Sequence, residues 1–365
     1  MTYDVLVVGA GIGGLSVAAL LSARGMNVCV LERQSQVGGC IARVEFSGHE
    51  FEPGMGLYTS FGPGEIYEQL FTQLPTDLPP VSPLASAYVI RSAHGDVNAS
   101  RDDLYSLAGG VARLAESLAE SIKLSGGSLR LNCPVLRLAY DDSGHATGVD
   151  LLSGERVLAG KAIISNLTVW DTYGKLIGLS RTPLEIKKQM SSLHGTGVYV
   201  IYAGMEERAV GRLPSERLLV QDRAGEFTMA VSTEHSAPPG KRSVTFTTRC
   251  EVEPWFSYQS SEEDYEEWDR AALEEFWARL HAALPELGGD IEIIETANPR
   301  TYYDQTRRKL GMVLGAEGPP CSSRSFLPNV LMVGDTVSAA ATLAEVVRSA
   351  MSLANSLTGF QDRSD

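Results

Sequence analysis

The chain opens on a run that is apolar at nearly every position. Tyr3 to Val8 has no polar alternation, which predicts a strand buried on both faces, as in a parallel sheet. The sextet Gly9-Ala10-Gly11-Ile12-Gly13-Gly14 then opens a helix running to about Arg24, which Gly25 ends. Asn27 to Leu31 predicts a second buried strand, closing on Glu32. Further along, Leu104 to Ser125 carries the periodicity of an amphipathic helix, followed by strands at Leu129–Leu131 and Val135–Tyr140. Asp141 to Gly144 is a turn, Gly148–Leu152 and Arg156–Leu158 read as a hairpin, and Lys161–Asn166 reads as a buried strand returning to the first sheet.

From residue 196 the pattern changes. Four β-like runs (Val198–Ala203, Arg217–Gln221, Phe227–Ser232 and Ser243–Thr248) are separated by polar or Gly/Pro segments, which predicts an antiparallel sheet. A helix follows over Ser261–Leu284, with an acidic first turn that suits its dipole, and then a strand at Ile291–Thr296. Asn329–Val333 reads as a strand ending in Gly334-Asp335, and Leu343–Leu357 as the last helix. The fold class this implies is α/β: a Rossmann-like dinucleotide-binding domain with a second α+β substrate domain built on an antiparallel sheet. The first domain is expected to be discontinuous, over 1–62, 105–172 and 298–365, and the substrate domain to take 63–104 and 173–297.

Bulk properties narrow the function. The chain has 365 residues and a net charge of -14, which argues against a nucleic-acid partner and leaves membrane contact at most peripheral. The 5 cysteines are scattered with no CxxC pair, which predicts reduced thiols in a cytoplasmic protein and no metal site. The apolar stretch from Val5 to Leu21 has no basic flank and is interrupted by glycines, unlike a signal or membrane helix.

The strongest chemistry is at the start. A strand, glycine turn, helix, strand and acidic residue form the dinucleotide fingerprint. Gly9 makes the turn, Gly11 admits a pyrophosphate against the backbone, and Gly14 lets helix and strand pack closely. Ala10, Ile12 and Gly13 complete the loop, whose helix N-terminus offers N–H groups to phosphate. Glu32 is placed to accept ribose hydroxyls. After Arg33 comes a second pair, Gly38-Gly39, followed by Cys40. Val5 to Gly39 thereby resembles the extended FAD fingerprint, and Gly334-Asp335 with the helix beyond resembles the C-terminal FAD motif, whose aspartate bonds a ribityl hydroxyl.

These segments, with His49-Glu50-Phe51-Glu52-Pro53-Gly54, the stretch from Gly109 to Val135 and the loop Ala237 to Lys241, resemble the FAD-dependent phytoene desaturase, carotenoid isomerase and retinol saturase family, within the flavin amine-oxidase superfamily. The resemblance implies FAD as cofactor, with Arg33, Cys40, Gly54, Met55, Gly56, Val135, Glu345 and Val346 also against it. It implies hydride transfer at flavin N5 with an apolar isoprenoid or polyene substrate that is desaturated, saturated or isomerised. Cys40 stands where amine oxidases carry arginine. The stretch from Leu57 to Gly109 is short where carotenoid desaturases carry a helical insertion, which leaves a second copy or a protein partner to cover the flavin. Ala339-Ala340-Ala341 stands where the family has glycines.

Candidate catalytic residues are Tyr58, after the Gly54-Met55-Gly56 turn, and the neighbours Tyr302 and Tyr303, of which a strand would aim only one at the flavin. Glu345 is either a proton relay or a solvated helix-start glutamate, and Lys309 could mimic the water-bridging lysine of amine oxidases. Arg307-Arg308-Lys309 is either an anion-attracting run or a solvated one. Two other functions stay open: a flavin amine oxidase, and a non-catalytic prenyl escort of the GDP-dissociation-inhibitor type.

Overall fold

The computed structural model describes residues 2–84, 88–99, 101, 103–233, 236–257, 262–319, 321–337 and 342–359. Two sheets organise them. In the first, Thr2–Val8 lies between Val28–Leu31 and Arg156–Ser165, all parallel, as an uninterrupted apolar strand requires. Ser128–Arg130 extends one side in parallel and Val330–Met332 pairs in parallel with the far end of Arg156–Ser165. Val135–Tyr140 and Ala146–Leu151 add an antiparallel flank.

The first helix, Ile12–Ala23, is buried from Ile12 to Ser22 because it is covered on every side. It packs against the helices Ala112–Leu124 and Leu343–Thr358 and against the sheet, so an all-round apolar sequence is what its place demands.

The second sheet runs in the order Ile291–Ala297, His194–Glu206, Lys241–Cys250, Gly225–Val231, Arg217–Asp222, Tyr88–Ser92, Gly95–Ala99. Its pairings are antiparallel except that Arg217–Asp222 and Tyr88–Ser92 run parallel. Alternation divides its faces. Tyr199, Ile201, Phe227, Met229, Val244 and Phe246 pack under the helix Glu262–Ala283 through Phe276 and Leu280, while Val198, Val200 and Tyr202 turn the other way.

Four expectations need correction. The helix expected from Leu104 begins at Ala112, because Gly109 and Gly110, with φ of 76° and 78°, take left-handed turns after a short strand at Tyr105–Leu107. Arg156–Leu158 and Lys161–Asn166 are one strand, Arg156–Ser165, rather than two. Arg300–Asp304 is helical within Pro299–Thr306: Asn298 caps it by accepting from the Thr301 N–H, and Pro299 occupies the first turn.

The expected domain limits also depart from the packing. Ile66, Tyr67, Leu70 and Phe71 sit in the first core, and Tyr173, Leu176, Met190 and Leu193 pack on the other face of the first sheet. Val313–Glu317, expected in the first domain, pairs with the second sheet's His194–Glu206. Among the described residues, no helix is long and apolar enough to cross a membrane.

Candidate functional site

A cavity of about 1460 Å³ runs from the glycine turn, across the end of the first sheet, to the uncovered face of the second. Ligand pockets for one drug-sized molecule hold about 300–1000 Å³, so this one has room for a dinucleotide and a second molecule together.

The dinucleotide end is built by close backbone approach. Gly9 has a φ of 98° and donates its N–H to Leu31 O at 2.9 Å. A Cβ on Gly11 would lie 2.7 Å from Asn166 Oδ1, and one on Gly14 only 2.3 Å from Gly9 O. The second glycine pair closes on the first. Gly38, with a φ of 109°, donates to Ala10 O at 2.8 Å and forms a parallel bridge with Gly11. Gly39 and Cys40 continue in a short 3-10 turn along the wall.

Glu32 is 9% exposed, and both its oxygens take backbone donors: Oε2 from Ala10 N at 2.7 Å and Oε1 from Gln34 N at 2.8 Å. It therefore fixes the turn as well as bordering the cavity. Arg33 lines the same end, with Nη1 donating to the carbonyls of Asp304 and Gln305. Val135 borders it from the antiparallel flank.

Asp335 reaches the cavity from the end of the last strand. Its Oδ2 accepts from Arg308 Nη2 at 2.7 Å and from Gly315 N at 3.2 Å. Burial works against the Arg308 charge, but the Asp335 carboxylate outweighs it and holds the guanidinium above its ordinary pKa. Of the run Arg307-Arg308-Lys309, Arg307 and Arg308 line the cavity. Lys309 does not: its backbone N–H goes to Asp171 Oδ2 and its ammonium lies 5.3 Å from the Trp170 ring centre. The lysine reading is corrected accordingly.

A strained loop delivers these groups. Arg307, Leu310 and Leu314 have φ of 56°, 51° and 63°, and Gly311 packs so tightly that a Cβ would fall 1.8 Å from Pro299 O.

The tyrosines separate for a helical reason. Tyr302 faces the cavity beside Tyr202 and Cys40, and burial first, then Tyr202, pushes its phenol well up. Tyr303 turns away onto Phe256 and Arg307. Tyr58 lines the cavity and donates to Glu52 Oε1 at 2.5 Å, and Val111 N donates to the same oxygen at 3.0 Å. Burial raises the Glu52 carboxyl against those two bonds. The Cys40 thiol is raised by burial, which keeps it protonated and unreactive.

Gly54 and Met55 line this wall, whereas Gly56 borders a smaller adjoining cavity of about 230 Å³. At the last helix, Leu343 and Val346 meet the cavity but Glu345 does not. Thr342 Oγ1 donates to the Glu345 carboxylate at 2.9 Å and accepts from its N–H, so Glu345 belongs to the helix cap rather than to a proton relay. Ala339-Ala340-Ala341 lies outside the described residues.

Sequence reading missed Asn166, which holds Val333 O at 3.0 Å and packs beneath Gly11 and Gly14. Its position at the end of the returning strand, where strand order reverses, was the signal. Glu52 was quoted only as part of a motif.

The glycine cradle, free helix N-terminus, paired Asp335 and buried cation fit a dinucleotide with an attached flavin. Residues 7–74 match the model of an NAD(P)-binding Rossmann-like domain, and residues 83–291 match that of flavin containing amine oxidoreductase. Prolycopene isomerase of Daucus carota is 29% identical over 227 residues, 58% of this chain and 35% of that protein. Carotenoid 3,4-desaturase of Haloarcula japonica is 38% identical over 93 residues, 26% of this chain and 19% of that one. The chain thus spans about a third of the length of the prolycopene isomerases it matches. An oxidoreductase from Methanosarcina mazei shares the fold, with a TM-score of 0.71 at 16% identity over 97% of this chain and 99% of that one. With more than half of its length matched by that model, the chain belongs to the flavin containing amine oxidoreductase family, and its cofactor is a flavin.

Proposed function

We propose that the chain is an FAD-dependent oxidoreductase acting on C–C or C=C bonds of an apolar isoprenoid or polyene substrate. The observation that carries this is the continuity of the cavity. Its glycine-lined end suits the dinucleotide, and its other end is walled by Phe46, Val198, Val200, Tyr202 and Leu219, which suit an apolar chain.

A bound flavin supplies hydride acceptance or donation at a substrate carbon. The protein's own part is to hold and orient. The N–H groups at the start of the first helix would hold the diphosphate, Glu32 the ribose and Asp335 a ribityl hydroxyl, while Arg308 neutralises Asp335. Tyr302 and Tyr202 fill the space beside the substrate and exclude water. Tyr58, backed by the raised Glu52 carboxyl, is the group placed to hold a proton at the wall. Similarity to a prolycopene isomerase and a carotenoid 3,4-desaturase supports the polyene class.

The test is direct. The purified protein should carry a flavin absorption spectrum, and heat should release intact FAD rather than FMN. Anaerobic mixing with short polyenes, with the flavin oxidised and then reduced, should give turnover in one series; none in both refutes the reading.

Family membership favours one second reading, an amine oxidase. Hydrogen peroxide release across an amine panel distinguishes it. The placement of Lys309 against Trp170 weighs against a lysine-bridged water at the flavin.

A further inference from the structure

The cavity-facing side of the second sheet holds a stripe of hydroxyls. Thr245 and Thr247, two residues apart on Lys241–Cys250, both line the cavity, and strand geometry puts them about 7 Å apart. Thr245 is 1% exposed. Among the described residues, neither Oγ1 has a hydrogen-bond partner. Thr228, directly across from Thr247, turns its own hydroxyl onto Thr247 O at 3.5 Å and so does not satisfy either.

A strand accepts valine as readily as threonine at such positions, and valine has the same shape. Threonine here burdens the fold with two desolvated hydroxyls that valine would not. The neighbours do not account for them: Val200 flanks Thr247, while Tyr202 and Ala230 flank Thr245.

We propose that Thr245 and Thr247 form a subsite for a neutral oxygen group, a hydroxyl or carbonyl, borne by an otherwise apolar substrate. This rests on reading the cavity as a substrate site and narrows that reading from hydrocarbons to oxygenated isoprenoids. An anionic end is not what the wall fits. Arg249 is exposed at the outer end of the stripe, and Arg217, beyond Ala230, turns Nε to Met55 O. A cationic end fits no better. Glu32, Asp171 and Asp335 already take N–H donors or cations from the protein, and Glu226 is exposed.

The experiment titrates the flavin-loaded protein with farnesol, the hydrocarbon of the same skeleton, farnesoic acid and farnesylamine, following tyrosine and tryptophan fluorescence. Farnesol should bind at least about tenfold more tightly than the hydrocarbon. Thr245→Val and Thr247→Val should each remove most of that preference while leaving hydrocarbon affinity unchanged, and Thr245→Ser should retain it. Flavin content of each variant, read by absorbance, should equal that of the parent. Preference that survives both valine variants overturns the subsite, as does equal binding of the hydrocarbon, tighter binding of the acid or amine, or binding of none. Tight, threonine-dependent binding of farnesol without any turnover of alcohols or polyenes upholds the subsite and sinks the redox reading instead.

Discussion

Replacing Gly14 by alanine sets two physical effects against each other. Gly14 lies in the first helix, Ile12–Ala23, where alanine is intrinsically better than glycine by about 1 kcal/mol. On propensity alone the variant should be stabilised. The packing says the reverse. The new Cβ would lie 2.3 Å from Gly9 O and 3.0 Å from Asn166 Cβ and Oδ1, where ordinary contact begins at 3.4 Å. The helix start must therefore withdraw by about 1 Å, since a backbone oxygen in a tight turn has no rotamer to escape into. Overpacking of this kind costs about 1–3 kcal/mol, so against the propensity gain a net loss of up to about 2 kcal/mol should lower Tm by up to roughly 3 °C in a chain of 365 residues. The same shift pulls the turn's N–H groups off the diphosphate. Losing one charge-assisted hydrogen bond should weaken flavin binding on the order of ten- to a hundredfold. Thermal melts and fluorescence titration of the apoprotein with FAD read both quantities. Gly25→Ala is the control: its φ is 80° and nothing lies within 4 Å, so it should cost only about 1 kcal/mol and leave flavin affinity alone. A Gly14→Ala protein that melts no lower than the parent and binds flavin equally well would refute the argument.

Three further outcomes are expected. Arg308→Met strips the cation from Asp335 in a mostly buried pair and should destabilise by on the order of 3 kcal/mol, with Arg308→Met/Asp335→Asn recovering part of it in a double-mutant cycle of melts. The Glu52 carboxyl is raised in the folded protein, so its favourable contribution is complete below the unfolded pKa and is lost as pH rises through the folded one. Glu52→Gln should therefore gain Tm relative to the parent at pH 8 but not at pH 4, and a pH-independent difference would contradict it. Lys309→Met should leave turnover and the flavin spectrum within about twofold of the parent, because its ammonium rests on Trp170 outside the cavity.

Much of this protein was legible in local pattern. The unbroken apolar strand, the glycine turn and Glu32 lie within one βαβ unit, where spacing dictates geometry, and the four strands from His194 to Cys250 announced themselves by alternation. Local rules misled where a neighbour decided. The β-favouring pair Tyr302-Tyr303 suits a strand locally, but the Asn298 cap and Pro299 turn the segment into a helix, and that sends Tyr302 inward and Tyr303 outward. Ile66–Phe71 joined the first core because that core had a face to cover, which no feature of its own sequence records. Only the tertiary structure could bring Arg308 to Asp335, seat Glu345 on Thr342 rather than in the cavity, and set Thr245 and Thr247 on a wall with nothing of their own to bond. Periodicity reports which face of an element is buried; what that face meets is set by chain segments far away in sequence, and their approach is decided by the packing of the whole.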